Sequence, residues 1–344
     1  MAENILQPLA GMTLAELENV AATCSLPRFT AKQLVRRIYV NRATSIDEIS
    51  EISKVGRERL KESFSIGLTS PKAETVSVDG TKKYLFEGVG GHDVEAVYIP
   101  DRDRATLCVS SQAGCRMGCK FCMTGRQGFH GNLSSSQIIN QVLSIPDSAK
   151  LTNIVFMGMG EPMDNLPEVA KAIEVLTAPW GLAWSPKRIT VSSIGKLDPL
   201  RTLIETTRVN IAISLHSPFP SEREELMPIE KAYPARKVIE ALGHYDFAHQ
   251  RRLSVEYIMW HGLNDDDSHC DALARLLRNV DCRVNLIRFH AIPDSPLRSA
   301  TDERMVAFRD RLNAKGVVAT IRASRGEDIM AACGMLAGKN NQTQ

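Results

Sequence analysis

The chain has 344 residues, 42 Lys and Arg against 40 Asp and Glu for a net charge of +2, 43% apolar residues and 22 glycines. That length suits two domains or one barrel, and the composition excludes collagen, mucin, an intrinsically disordered chain and a small disulfide scaffold. The near-zero net charge excludes a bulk polycation and leaves room for a local basic face.

No apolar run approaches the roughly 18 residues of a membrane helix. The start, MAENILQPLAGMT, lacks the basic-then-apolar pattern of a secretory leader. The expected location is therefore cytoplasmic, where thiols stay reduced, and no membrane partner is expected.

Residues 1–70 read as a small helical accessory domain. Three segments open with a capping box: Thr13-x-x-Glu16, Thr30-x-x-Gln33 and Ser45-x-x-Glu48. Between Ser25 and Ile46 stand Arg28, Lys32, Arg36, Arg37 and Arg42 with no acidic residue. Such a face can grip phosphates, with Phe29 and Tyr39 available for stacking on bases, or it can simply be solvated. Lys187-Arg188 and Arg251-Arg252 are lesser candidates.

Residues 71–100 read as a β-hairpin extension, with strands at 81–87 and 93–99 around Gly88, Gly90 and Gly91. From 101 to 338 the hydrophobic period alternates between strand and helix. Strands are predicted at 106–111, 153–157, 188–193, 209–215, 253–259 and 284–289. The helices that follow them are predicted at 135–144, 166–178, 198–206, 234–242, 267–278 and 302–314. A further strand at 316–323 and a short helix from Glu327 complete the pattern, and 339–344 is an expected disordered tail. The fold class is α/β, and the unit count suits a partial (β/α)6 barrel. Periodicity alone does not separate this from a doubly wound open sheet. In both, ligands sit at the carboxyl ends of the strands.

Four of the eight cysteines crowd into 108–122, where Cys115-Arg-Met-Gly-Cys119-Lys-Phe-Cys122 has the spacing C-x3-C-x2-C. Thiolates are soft ligands that select an iron–sulfur cluster, zinc or copper(I). Electron-transfer clusters use four cysteines, so three leave one iron open to a substrate. The alternative is a structural zinc site with Cys108 as the fourth ligand. Cys24, Cys270 and Cys282 carry no partner motif and read as small core residues.

C-x3-C-x-Φ-C, with Phe121 as Φ, resembles the signature of radical S-adenosylmethionine (SAM) enzymes. CVSSQAGCRMGCKFCMTGRQGF (108–129), MGMGEPMDN (157–165), ITVSSIG (189–195), ISLHSP (213–218), VNLIRF (284–289) and RGEDIMAACGML (325–336) narrow the likeness. Together, and with the basic helical domain in front, they resemble the RlmN/Cfr family of radical SAM adenosine methyltransferases. The RlmN branch is the nearer one.

That resemblance implies a [4Fe-4S] cluster on Cys115, Cys119 and Cys122, and SAM consumed twice per turnover. It implies methylation of an adenosine in 23S rRNA at carbon 2, or at carbon 8 if the chain is Cfr-like, with tRNA as a further candidate substrate. Both carbons are electron-poor and cannot attack the SAM methyl by displacement, which explains the need for radical chemistry.

Cys333 matches the cysteine that carries the methyl and bonds the base. Cys108 matches the one that resolves the adduct through a disulfide, and Glu95 the proton acceptor. Gly160, Glu161, Ser192, Ser214, Leu215, His216 and Asn285 match SAM contacts; the lesser alternative for His216 is a satisfied core histidine. An electron donor such as flavodoxin and a monomeric state are further implications, and Cys333 is expected on a mobile loop near the cluster. The segment 289–300 looks shorter than in many relatives, which bears on the substrate pose. Two other readings stay open: a radical SAM enzyme acting on protein, and a zinc-bound RNA-binding module without activity.

Overall fold

The computed structural model describes residues 6–247 and 252–338, so the tail at 339–344 and Arg251 lie outside the described residues. In the N-terminal segment, β1 (Gln7–Pro8) pairs in parallel with β2 (Phe64–Ser65), closing its two ends on each other. Between them run α1 (Leu14–Thr23), α2 (Thr30–Val35) and α3 (Lys54–Lys61). The capping boxes at Thr13 and Ser45 form as predicted. The one at Thr30 does not: the Pro27–Thr30 and Arg28–Ala31 turns already wind the chain, Phe29 is the cap residue, and Thr30 is buried.

The antiparallel strands β3 (Ala73–Val76), β4 (Lys82–Val89) and β5 (His92–Asp101) come next, followed by β6 (Arg104–Cys108). The short strands β7 (Gln112–Gly114) and β8 (Phe129–Asn132) pair separately around the cysteine loop. Then come β9 (Asn153–Phe156), β10 (Ile189–Ser193), β11 (Asn210–Ser214), β12 (Leu253–Met259), β13 (Arg283–Arg288) and β14 (Val318–Ile321). The helices of this region are α4 (Met123–Arg126), α5 (Ser135–Leu143), α6 (Leu166–Thr177), α7 (Leu197–Thr206), α8 (Pro220–Leu226), α9 (Ala235–Leu242), α10 (Asp267–Leu277) and α11 (Asp302–Ala314).

One 10-stranded sheet runs in the order β14-β13-β12-β11-β10-β9-β6-β5-β4-β3, parallel from β6 to β14. Each crossover steps to the next strand in one direction. Right-handed crossovers then place every helix on the same face, as in a barrel. A doubly wound sheet would reverse at a switch point. Both edges, β3 and β14, stay open.

The hairpin is continuous with this sheet, because Val97 of β5 faces Cys108 of β6. Glu95 on that hairpin is buried. The helix expected from Glu327 is a pair of tight turns, in which Ala331 N–H bonds the Gly326 carbonyl and Met330 has a φ of +53°.

The helix-covered face is apolar: Val191, Ile211, Ile213, Val255, Tyr257, Val284 and Leu286 are buried there. The opposite face is polar. Ser214, Glu256, Asn285 and Thr320 stand in one row across four adjacent strands. Buried parallel strands are normally apolar on both faces, so this polar row marks the inner wall of a binding cavity.

Candidate active site

Directly paired residues of neighbouring strands share a face. Following the register, Lys83 faces Val97, Val97 faces Cys108, Cys108 faces Val155, and Val155 faces Thr190. Two residues on from Thr190 stands Ser192, level with Ala212, and two residues on from that stands Ser214. Glu95 is two residues before Val97. Lys83, Glu95, Cys108, Ser192, Ser214, Glu256 and Asn285 therefore lie on one face of one sheet. This register brings five predicted residues together: Glu95, Cys108, Ser192, Ser214 and Asn285.

The cysteine loop caps this face. Cys115 N–H bonds the Gly128 carbonyl at 2.7 Å, and Lys120 N–H bonds the Leu226 carbonyl at 3.0 Å. Cys115 and Cys119 are buried and Cys122 half-buried. Burial pushes the Cys115 thiol up to about 12. Burial also raises Cys119, with the neighbouring charges of Cys122 and Cys115 adding to it and Arg223 opposing it. Three sulfurs within electrostatic reach of one another, two of them buried, hold protons until a cationic centre displaces them. That chemistry fits a cluster held by three thiolates. Among the described residues, no three His, Cys, Asp or Glu side chains converge on a single ion position. Cys108 stands outside the loop, on β6 between Val97 and Val155, and burial, then the charge of Cys333, raises its thiol.

Gly160, in the loop after β9, has φ +100°, and a Cβ there would meet the Gln112 side chain at 2.6 Å. Only glycine lets this loop approach so closely. Glu161 is buried. It accepts N–H bonds from Met163 and Ile194, both at 3.1 Å, while its own N–H donates to Gln112 Oε1. Burial raises its carboxyl to about 7. Asp164 then meets Lys196 and, at 3.3 Å, Arg116, whose guanidinium lies 4.2 Å over the Phe129 ring. These contacts dock the cysteine loop on the β9 loop.

His216 has φ +63° and accepts the Ile258 N–H on Nδ1 at 3.1 Å, packed edge-on against Phe121. Burial, and then Arg223, hold it neutral, at about 3. It is a satisfied buried histidine at the rim of the site. Its neighbour Leu215 is buried as well.

Cys333 is exposed, on a strap tied at both ends. Upstream, Asp328 accepts from Ser77 Oγ at 2.5 Å and Val78 N–H at 3.1 Å, and Asp79 accepts the Gly326 N–H at 3.0 Å. Downstream, Gly334, Leu336 and Ala337 carbonyls accept from Met123 N–H, Thr124 Oγ1 and Gln127 Nε2 at 2.8, 2.7 and 2.7 Å. Ala337 and Gly338 N–H donate to Glu95 Oε2 at 2.7 and 3.0 Å. The strap thus runs from the hairpin turn, past the cysteine loop, to Glu95.

The predicted RNA-binding residues fare unevenly. Lys32 and Arg36 are exposed. Arg28 pairs with Glu18 at 2.7 Å and Arg37 with Glu51 at 2.8 Å, acids brought from other segments. Phe29 is exposed, whereas Tyr39 is buried, its hydroxyl donating to the Met12 carbonyl at 2.8 Å, and cannot stack on a base.

Three residues escaped the sequence reading. Lys83 pairs with Glu95 Oε1 at 3.0 Å. Arg223, 1% exposed, donates to the carbonyls of Leu215, Ser214 and Ile194 and pairs with Glu230, fastening the ends of β10 and β11. Glu256 accepts from Asn285 Nδ2 and Ser254 Oγ at 2.8 Å each. A lone acid in the apolar run Val-Glu-Tyr-Ile-Met was a readable sign of Glu256. Neither Lys83 nor Arg223 had one.

Residues 109–274 match the radical SAM superfamily, and residues 7–66 match the ribosomal RNA large subunit methyltransferase N-terminal domain. A Parabacteroides distasonis protein named a probable dual-specificity RNA methyltransferase RlmN is 56% identical over 97% of this chain and 98% of its own length. The dual-specificity RNA methyltransferase RlmN of Syntrophus aciditrophicus is 39% identical over 95% of each chain. The crystal structure of a radical SAM methyltransferase from Sphaerobacter thermophilus superposes with a TM-score of 0.91 at 38% identity, covering 97% of this chain and 100% of that one. With the cysteine loop capping a polar sheet face and two matched family models in the expected order, the chain belongs to the RlmN family of radical SAM RNA methyltransferases.

Proposed function

We propose that this enzyme methylates carbon 2 of an adenosine in 23S rRNA, and of tRNA, through a covalent link between the base and Cys333. The observation that supports this reading most is a shared carboxylate. Glu95 stands on the sheet face of Cys108, a buried thiol, and accepts N–H bonds from Ala337 and Gly338 on the strap that carries Cys333, an exposed one. A plain SAM-binding pocket has no use for such a pair.

Cys115, Cys119 and Cys122 would hold the [4Fe-4S] cluster. Gly160, Glu161, Ser192, Ser214, Leu215, His216 and Asn285 would line the SAM position, with two SAM used per turnover. When bound, the reduced cluster and SAM supply the radical that abstracts hydrogen. Cys333 carries the methyl group and, after hydrogen loss, bonds the base through it. Glu95 accepts the proton that the ring carbon gives up. The adduct would give its unpaired electron back to the electron carrier; the Cys108 thiolate then attacks the Cys333 sulfur, an S–S bond forms, and the S–CH2 bond breaks with its electron pair on the methylene carbon, which takes a proton to become the methyl group. Arg28, Lys32, Arg36 and Arg37 would grip RNA phosphates, and the target base must flip out of its stack at a cost of a few kcal/mol. A small electron donor of the flavodoxin type, a monomeric state and a cytoplasmic location complete the reading. No helix among the described residues is long and apolar enough to cross a membrane.

Nucleoside mass spectrometry of rRNA and tRNA treated with anaerobically reconstituted enzyme, SAM and reductant tests it. 2-Methyladenosine is the expected product. 8-Methyladenosine would move the enzyme to Cfr-type chemistry. SAM cleavage without either product would mean a different substrate.

A further inference from the structure

Lys83 is 6% exposed and Glu95 1%, and their ion pair spans 3.0 Å between paired strands. Lysine is almost never buried unless paired, and a buried pair is often no more stabilising than apolar residues of similar volume. On this face Lys83 stands between Thr75 of β3 and Val97 of β5, with Leu85 two residues on along β4. Packing alone does not call for a charge here.

The two carboxylate oxygens of Glu95 have different partners. Oε1 faces Lys83, while Oε2 accepts the strap N–H groups of Ala337 and Gly338. These partners differ in permanence. Lys83 is fixed by the β4–β5 register. The strap carries Cys333, which must reach SAM, the base and Cys108 in turn, so its bonds to Oε2 have to break during turnover. The departing strap thus frees one oxygen and leaves the other held.

We propose that Lys83 is the positioning residue that holds Glu95 by Oε1, with Oε2 turned to the substrate, after the strap has left. This rests on the reading of Glu95 given above. In the step concerned, the ring C–H bond breaks, its electron pair stays with the base, and the proton forms an O–H bond on Oε2. Without Lys83, Oε1 would lose the partner that holds the carboxyl plane once the strap's bonds to Oε2 have broken.

The test uses the reconstituted full-length holoenzyme as wild type, K83M, K83R and E95Q. Each is given an RNA substrate in single turnover. The readouts are 5′-deoxyadenosine, methylated nucleoside, and the covalent protein–RNA adduct on a denaturing gel. K83M is expected to form 5′-deoxyadenosine at the wild-type rate. It should also accumulate adduct and lose product by about 100-fold, at the low end of a proton-transfer contribution. K83R keeps the charge and is expected to release product within about tenfold of wild type, whereas a purely structural pair would tolerate neither change.

E95Q separates the two claims. If E95Q stalls as adduct while K83M turns over like wild type, the Lys83 inference fails and the Glu95 reading stands. If E95Q itself turns over normally, the Glu95 reading fails and takes this inference with it. Should K83M not retain its iron and sulfide, K83R decides: a folded, iron-loaded K83R that stalls as adduct overturns the proposal.

Discussion

The Ala337 backbone N–H donates to the Glu95 carboxylate at 2.7 Å, joining residues 242 positions apart. That bond ties the strap bearing Cys333 to the hairpin, and it makes the strap's resting position depend on the charge of one side chain. Hydrogen bonds to an ionised acceptor are roughly twice as strong as neutral ones. In E95Q, the amides of Ala337 and Gly338 are expected to exchange hydrogen about tenfold faster, a change of about 1.4 kcal/mol in local opening. Hydrogen-exchange mass spectrometry of the C-terminal peptide measures it, and unchanged protection would show that the cysteine-loop contacts alone hold the strap.

Glu161 titrates near neutrality because burial raises its carboxyl from 4.5 to about 7. The folded protein without SAM therefore binds an extra proton between those values, and this group makes that state less stable as pH rises through the window. In the proposed SAM position, an ammonium group beside Glu161 would require the ionised form. SAM affinity is then expected to be constant above pH 7 and to weaken by up to about tenfold per unit below it. Titration calorimetry across this range should show the slope in wild type and none in E161Q. A flat wild-type profile would remove Glu161 from the SAM amino site.

Arg223 holds three strand-end carbonyls and Glu230 from a position 1% exposed. Removing one partner of a buried pair leaves the other charge uncompensated, at a cost of about 3–5 kcal/mol. R223M is expected to lose stability of this order in chemical unfolding. R223K should recover only part of it, since an ammonium cannot reproduce the guanidinium fork. R223M combined with E230Q should be less destabilised than R223M alone.

On the N-terminal face, Lys32 and Arg36 are exposed, while Arg28 and Arg37 already face Glu18 and Glu51. K32A/R36A is expected to weaken RNA binding and lower the slope of log affinity against log salt by roughly two charges. R28A/R37A should change it less. Filter binding over a salt series distinguishes them, and equal effects would mean that RNA displaces the two acids.

Local chemistry was legible where the physical cause is local. The bounds predicted for β12 and α11 match the observed Leu253–Met259 and Asp302–Ala314, because hydrophobic period and caps act within a few residues. The caps at Thr13 and Ser45 formed for the same reason. The capping box read at Thr30 failed when a preceding turn displaced the helix start. Tyr39 failed as a stacking residue because burial depends on what the rest of the chain lays over a side chain.

By itself, the sequence determined the alternation of strands and helices, the three-thiolate loop and the family to which its motifs belong, since spacing along the chain encodes all of these. It left open whether the sheet winds as a barrel, which strand order alone resolved. It was also silent on the burial of Glu95 against Lys83, on the fastening of β10 and β11 by Arg223, and on the tie between the strap and the hairpin. Those contacts join residues far apart in the chain. A carboxylate or a guanidinium acquires its role only when folding removes its water and supplies a partner, and no local pattern records which partner that will be.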